Sequence, residues 1–320
     1  MCLTSFLCLV SPVKAQTFAV IGDYGQNVSN TEAYNYEKYK AEVWVGSPYN
    51  KMAIEIVADM VKSWNPDFIV SLGDDSYWCR LQNKFEDNVE PFYGDYVSNG
   101  KFYPILGNHD YKTSSQESHV DHCLQDEKNG VTLWMEYFSK NRYYDYVEGD
   151  IHFFALNFNP EEQDGIDKNS KQALWLKAGL EASSSKFNVV YGHQPVYSSC
   201  PTPGGKHCSH EILQWPFQEW GADIVLNGDN HYYERNVVNN FTYIVNGNGG
   251  GAIDLQNTYI PGITKSHFPT GSADRKWGAM LFTIKSDNGY YLDVKVYDHA
   301  RDLRDEFVIW PNEAQWRSCN

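Results

Sequence analysis

IVLNGDNHYYER, residues 224–235, begins as a buried strand and runs directly from Ile224-Val225-Leu226 into Gly228, Asp229, Asn230 and His231. Gly, Asp and Asn tolerate turn geometry, so taken once the stretch reads as a tight turn. The pattern recurs at four more places. FAVIGDYG ends on Gly22-Asp23; FIVSLGDDSYW gives Gly73-Asp74 and then Tyr77; FYPILGNHD gives Gly107-Asn108-His109; NVVYGHQPVYS gives Gly192-His193. Each is an apolar run, then Gly, then a side chain able to bind a metal. Groups at the carboxyl ends of strands in open α/β sheets converge on one crevice, so five such ends build one site. A donor set of Asp, Asn, Tyr and His without Cys suits hard or borderline ions such as Fe, Mn, Mg and Zn, and it is large enough for two. Cations also relieve a cluster of carboxylates, which otherwise repel and raise one another's pKa.

The rest of the chain limits what such a site can serve. With 42% apolar and 15% aromatic residues in 320, the composition is that of a globular chain with a sizeable core. A formal net charge of -15 argues against binding the nucleic-acid backbone or anionic lipid, which leaves a small substrate or a cation as the expected partner. The first fifteen residues, MCLTSFLCLVSPVKA, hold a short apolar run and then Val13-Lys14-Ala15, small residues suited to a signal peptidase. The expectation is a leader over 1–15, too short to span a bilayer, and one catalytic domain over 16–320 in a secreted, periplasmic or endomembrane-lumenal setting. Cys79, Cys123, Cys200, Cys208 and Cys319 would then remain, with Cys200 and Cys208 the first candidate pair.

Periodicity predicts strands at Thr17–Ile21, Phe68–Leu72, Phe102–Leu106, Phe187–Tyr191, Ile224–Leu226, Phe241–Val245, Met280–Ile284, Tyr291–Val296 and Phe307–Trp310. Arg142–Val147 and Ile151–Asn157 read as a hairpin, and Met52–Trp64, Ser170–Leu180 and Ile212–Trp220 as helices. No Gly-x-Ser-x-Gly elbow is present, which removes a serine hydrolase, and the glycines 247–251 lack the Lys-Ser/Thr of a nucleotide P-loop.

The ordered set Gly-Asp-x-Gly, Gly-Asp-x-x-Tyr, Gly-Asn-His-Asp, Gly-His-x-Pro and a late Gly-x-x-His resembles the calcineurin-like metallophosphoesterases, and Tyr77 points to the purple acid phosphatases among them. The resemblance implies an α/β fold, a four-layer α/β/β/α sandwich of two sheets flanked by helices, and a dinuclear site hydrolysing phosphate monoesters by attack of a metal-bound hydroxide. Carried over residue by residue, Asp23, Tyr77 and His231 would hold Fe(III), Asp74 would bridge, and Asn108 and His193 would hold a divalent ion (Fe, Mn, Zn or Mg). His109 would face the phosphate beside Asn108 and give a proton to the leaving group. In the loop after Gly-His-x-Pro, His207 and His210 are candidates for the substrate side, against the plainer reading of two exposed loop histidines. Glu234 and Arg235 read as a salt bridge beneath the site.

One position departs from the family pattern: Asp229 stands where the resemblance expects the first His of the last motif. Three readings stay open. Asp229 ligates the second ion and favours Fe(II), Mn or Mg over Zn; it orients a water on a weakly held ion; or the second site is lost. Two other functions stay open beside the monoesterase, a phosphodiesterase or nucleotide hydrolase of the same superfamily and a catalytically silent relative that binds metal or a partner.

Overall fold

The computed structural model describes residues 15–25, 53–77, 84–111, 130–199, 209–251, 253, 260–267, 276–287 and 289–312. Residues 1–14 of the expected leader, every cysteine and His207 lie outside the described residues.

Two mixed sheets form the centre. In the first, β1 (Thr17–Ile21), β2 (Phe68–Ser71) and β3 (Phe102–Tyr103) run parallel, and β1 is flanked on its other side by antiparallel β11 (Gly278–Lys285), β12 (Tyr291–Asp298) and β13 (Leu303–Ile309). The second starts with the hairpin β4 (Tyr144–Glu148) and β5 (Ile151–Ala155) and continues in parallel through β6 (Phe187–Tyr191), β7 (Ile224–Asn227) and β9 (Phe241–Asn246). Antiparallel β8 (Tyr233–Val238) and β10 (Thr264–His267) close that edge. Asn239 and Asn240 both take positive φ, the backbone that a two-residue turn needs to match strand twist, and so join β8 to β9.

Alternation along the strands makes four layers. Phe18 and Val20 of β1 face Phe153 and Ala155 of β5, Val189 of β6 and Leu226 of β7 in a core between the sheets. Ala19 and Ile21 point the other way, against α1 (Ala53–Ser63), α2 (Lys84–Ser98) and, beyond a single turn α3 (Asn108–Tyr111), α4 (Gly130–Phe138). Phe154, Val190 and Val225 point outward from the second sheet against α5 (Lys171–Ala182). Strands covered on both faces read as continuous apolar runs, which is why the parallel strands were legible. Ser170 caps α5 by accepting the Ala173 N–H at 3.2 Å, and α1 buries Ile54, Val57 and Val61 as their spacing predicts.

Three expectations are corrected. The run Phe102–Leu106 is a strand only over Phe102–Tyr103, because Pro104 has no N–H for the ladder. Ile212–Trp220 is a 3-10 turn over Glu211–Leu213 and a separate turn over Phe217–Trp220, divided at Pro216. The helix Lys84–Ser98 went unpredicted because Pro91 sits inside it.

Phe18 lies at the middle of the inner core, 5.1 Å from Phe68, 5.2 Å edge-on from Phe153 and 4.6 Å from Phe282 between ring centroids. Phe18→Ala should lower unfolding free energy by about 3–5 kcal/mol in urea titration. Asp223, just before β7, accepts the Asn188 and Asn312 N–H groups at 2.6 and 2.5 Å, yet burial pushes its carboxyl up to about 7. An unfolded aspartate titrates near pH ~3.9, so the folded chain keeps a proton that the unfolded chain has already released. Stability should therefore fall as pH rises from about 4 through 7, and Asp223→Asn should flatten that slope in denaturation curves taken at each pH.

Candidate metal centre

All five Gly-polar strand ends lie at the carboxyl ends of parallel strands, three from the first sheet and two from the second. Backbone bonds lace them together: the Asp23 N–H donates to Gly73 O at 3.0 Å, Gly25 N–H to Asp74 O at 3.1 Å and Gly228 N–H to His193 O at 2.9 Å. Across the sheets, His193 Nδ1–H donates to Leu72 O at 2.6 Å, which fixes the tautomer and leaves Nε2 facing the cluster.

Around that nitrogen the predicted residues gather. His193 Nε2 is 3.1 Å from Asn108 Oδ1, 3.4 Å from Asp74 Oδ1, 3.6 Å from Asp229 Oδ1 and 3.9 Å from Asp23 Oδ1. On the other side of Asp23, the Tyr77 hydroxyl donates to Asp23 Oδ1 at 3.2 Å and lies 2.7 Å from His231 Nε2, itself 3.5 Å from Asp23 Oδ1. Asp23, Asp74 and His231 offer donor atoms within 4.8 Å of one another. The donors thus fall into two groups, one around Tyr77 and His231 and one around Asn108, His193 and Asp229, with Asp74 reaching both. His109 stands at the edge, its ring 4.4 Å from that of Tyr77 and its N–H on Asp74 Oδ1 at 2.8 Å.

The electrostatics of this cluster ask for cations. Burial pushes the Asp23 carboxyl up, against the pull of His193 and His231. Burial also acts against the charged form of Asp74, but His193 and His109 overcome it and hold Asp74 below the usual carboxylate range. In His193 burial pushes down while Asp74 and Asp23 push up and win. Burial, Asp23 and Asp74 lift the Tyr77 hydroxyl well above its ordinary value. Desolvated carboxylates sharing two imidazoles with one another is an arrangement that positive ions relieve, and the donor types are those that hard or borderline ions take. The backbone makes room for it: a Cβ on Gly228 would come within 2.5 Å of Asp23 Oδ2.

The model of the calcineurin-like phosphoesterase family matches residues 16–233. The chain belongs to the calcineurin-like phosphoesterase family. It is 35% identical over 124 residues to purple acid phosphatase 15 of Arabidopsis thaliana, covering 35% of this chain and 23% of that protein. With purple acid phosphatase 17 of the same plant it shares 24% identity over 241 residues, 69% of this chain and 65% of the relative. The chain thus spans less than two thirds of the length of either relative. The solved structure of a purple acid phosphatase from yellow lupin (Lupinus luteus) seeds superposes with a TM-score of 0.67 at 16% identity, covering 96% of this chain and 55% of that one. At that identity the likeness is one of fold, and it agrees with the two mixed sheets flanked by helices.

Glu234, Arg235, His210 and Tyr24 each have partners of their own. The Arg235 guanidinium pairs with Asp305 at 2.7 Å, whereas buried Glu234 accepts from Ser199 and Thr264, so the expected salt bridge between Glu234 and Arg235 is absent. His210 is anchored by its N–H on Pro195 O at 3.3 Å and starts the turn Glu211–Leu213. Tyr24 is core, edge-on to Tyr93 at 5.2 Å.

Two supporting groups escaped the sequence reading. Asp110 accepts N–H groups from Gly107 at 2.8 Å and Ser76 at 3.1 Å, clamping the ends of β2 and β3 to each other. Buried amides continue that support: Gln194 donates to Asn159 at 2.9 Å, Asn159 to Leu106 O at 3.1 Å, and Asn157 to the Tyr111 hydroxyl at 2.5 Å. The signal was there, since β5 is a further apolar run ending in polar residues, but it lacks the glycine. Gly228→Ala should keep the far-ultraviolet circular dichroism of the fold while weakening divalent-metal affinity by roughly 10–100-fold in calorimetric titration.

Proposed function

We propose that this chain is a metal-dependent phosphatase that hydrolyses phosphate monoesters in a secreted or lumenal setting, with residues 16–320 as one catalytic domain. The pairing of β1 with β11 supports the single domain, because the first strand lies inside a sheet completed near the end of the chain. In this reading Asp23, Tyr77 and His231 would hold Fe(III), Asn108, His193 and Asp229 would hold a divalent ion, and Asp74 would serve both. When bound, such a pair supplies positive charge for the phosphoryl oxygens and makes water nucleophilic near neutral pH.

The chain's own residues do the rest. The His193 bond to Leu72 O keeps Nε2 aimed at the donors. The N–H of His109 on Asp74 fixes the loop that carries Asn108, whose amide orients the phosphate. A ring nitrogen of His109 delivers a proton to the departing alkoxide, the need that is greatest when the leaving group is a poor one. His207 and His210 are secondary candidates for contact with the substrate.

The observation that carries the reading is Tyr77, whose hydroxyl lies within hydrogen-bond reach of both Asp23 and His231. A phenolate in that place is a hard anionic donor suited to a trivalent ion. Purified native protein should show a broad visible tyrosinate-to-iron band with about two ions per chain, and Tyr77→Phe should abolish the band. A colourless protein with one ion or none would overturn the assignment. His109→Gln should lower kcat about 100-fold or more on an alkyl phosphate and much less on p-nitrophenyl phosphate, measured side by side in steady state.

A further inference from the structure

We propose that Asp229 biases the site's choice of phosphate group by charge, shifting it away from the dianion and towards the monoanion relative to a neutral donor at that position. The inference rests on the proposed phosphatase function and adds the charge state of the group bound. Three aspartates enter the cluster with the same backbone. Asp23, Asp74 and Asp229 each directly follow a glycine at the end of a parallel strand, and their φ angles are 56°, 53° and 66°. That left-handed region is unfavourable for a residue with a Cβ, so its threefold use marks a geometry held by the surrounding fold. Asp229 is further fixed by donating its N–H to Asp23 Oδ2 at 3.1 Å.

The three differ in depth. The side chains of Asp23, Asp74 and Asp229 are 0%, 2% and 9% exposed, so Asp229 is the carboxylate nearest the solvent from which a substrate arrives. Its Oδ1 is 3.6 Å from His193 Nε2, and Asn108 Oδ1 is 3.1 Å from the same nitrogen. A phosphate drawn towards Asn108 and the adjacent His109 therefore comes up against Asp229. Whatever ions the donors hold, a carboxylate at this position leaves the assembled site one unit more negative than a neutral donor would. Coulomb energy scales with the product of the charges, so the attraction of the bound cations doubles for a dianion, and Asp229 sets against it a repulsion that doubles too and that a neutral donor would lack.

The chemical consequence separates substrates. The second ionisation of a phosphate monoester falls near pH ~6. Monoesters escape the penalty on the second charge below that pH, as the protonated monoanion, and meet it above. Phosphodiesters are monoanions throughout and escape it at every pH.

The test uses the full chain with its native metals, with elemental analysis of every sample. Isothermal titration calorimetry would measure inorganic phosphate and dimethyl phosphate from pH 5 to 8. The expected result is that phosphate affinity divided by dimethyl phosphate affinity, taken at pH 8 relative to pH 5, is roughly tenfold or more higher in both Asp229→Asn and Asp229→His than in the unaltered protein at equal metal content. A pH dependence of that ratio that both substitutions leave unchanged at two ions per chain would overturn the charge selection alone. Failure of the two-ion protein to bind or hydrolyse any phosphate would overturn the proposed function and this inference with it.

Discussion

The hydrogen bond from His193 Nδ1 to the Leu72 carbonyl is the constraint on which the rest of the structure turns. It runs from the end of β6 in one sheet to the end of β2 in the other, and both atoms are buried. It sets the offset of the sheets' functional ends together with the Asp229 N–H on Asp23 Oδ2 and the Gly249 N–H on Gly22 O. With it, Nε2 of the same ring is held within 4 Å of oxygens from Asp23, Asp74, Asn108 and Asp229. The imidazole is therefore both a fastener between layers and a donor in the cluster, and the fold and the site share one atom-level requirement.

Much of this was readable from residue order because the physics is local. A parallel strand covered on both faces must be apolar along its whole length, and a donor at its carboxyl end must be preceded by a residue small enough to let another backbone approach. Gly22, Gly73, Gly107, Gly192 and Gly228 announce those approaches in the sequence. The elements that were missed owe their form to non-local packing. Helix Lys84–Ser98 survives Pro91 because Phe85, Val89 and Tyr93 bury against the first sheet, a compensation that no window of sequence displays. Asp110 and the chain Gln194–Asn159 were missed because Ser76 for Asp110, Asn159 for Gln194 and Leu106 for Asn159 lie 34, 35 and 53 residues away along the chain. The pairing of Glu234 with Arg235 failed because adjacent residues in a strand face opposite sides of the sheet, so each found its partner on its own face.

Strain is concentrated where chemistry is expected. The three left-handed aspartates occupy one end of the sandwich, while the other non-glycine positive-φ residues among the described residues, Asn65, Ser139, Asn239, Asn240 and Arg301, lie outside the donor cluster. Left-handed backbone at a turn needs only a tolerant residue. At Asp23, Asp74 and Asp229 it coincides with burial of a carboxyl group, so two separate costs fall on the same three residues. Such costs persist where the surrounding contacts over-determine the geometry, and here those contacts are the glycine-lined approaches and the clamp formed by Asp110.

The pairing of β1 with β11 also governs how the molecule can come into being. Val20 finds its partner in Met280, so the strand that leads to Asp23 stays without one neighbour until the ribosome has made most of the chain. Sheets built from such distant partners form slowly and leave unpaired edges exposed in the meantime. Asp23, among the earliest donors to be synthesised, is among the last to reach its final surroundings. A chain truncated before β11 would thus keep all seven donor residues of the cluster and still lack the frame that brings them together.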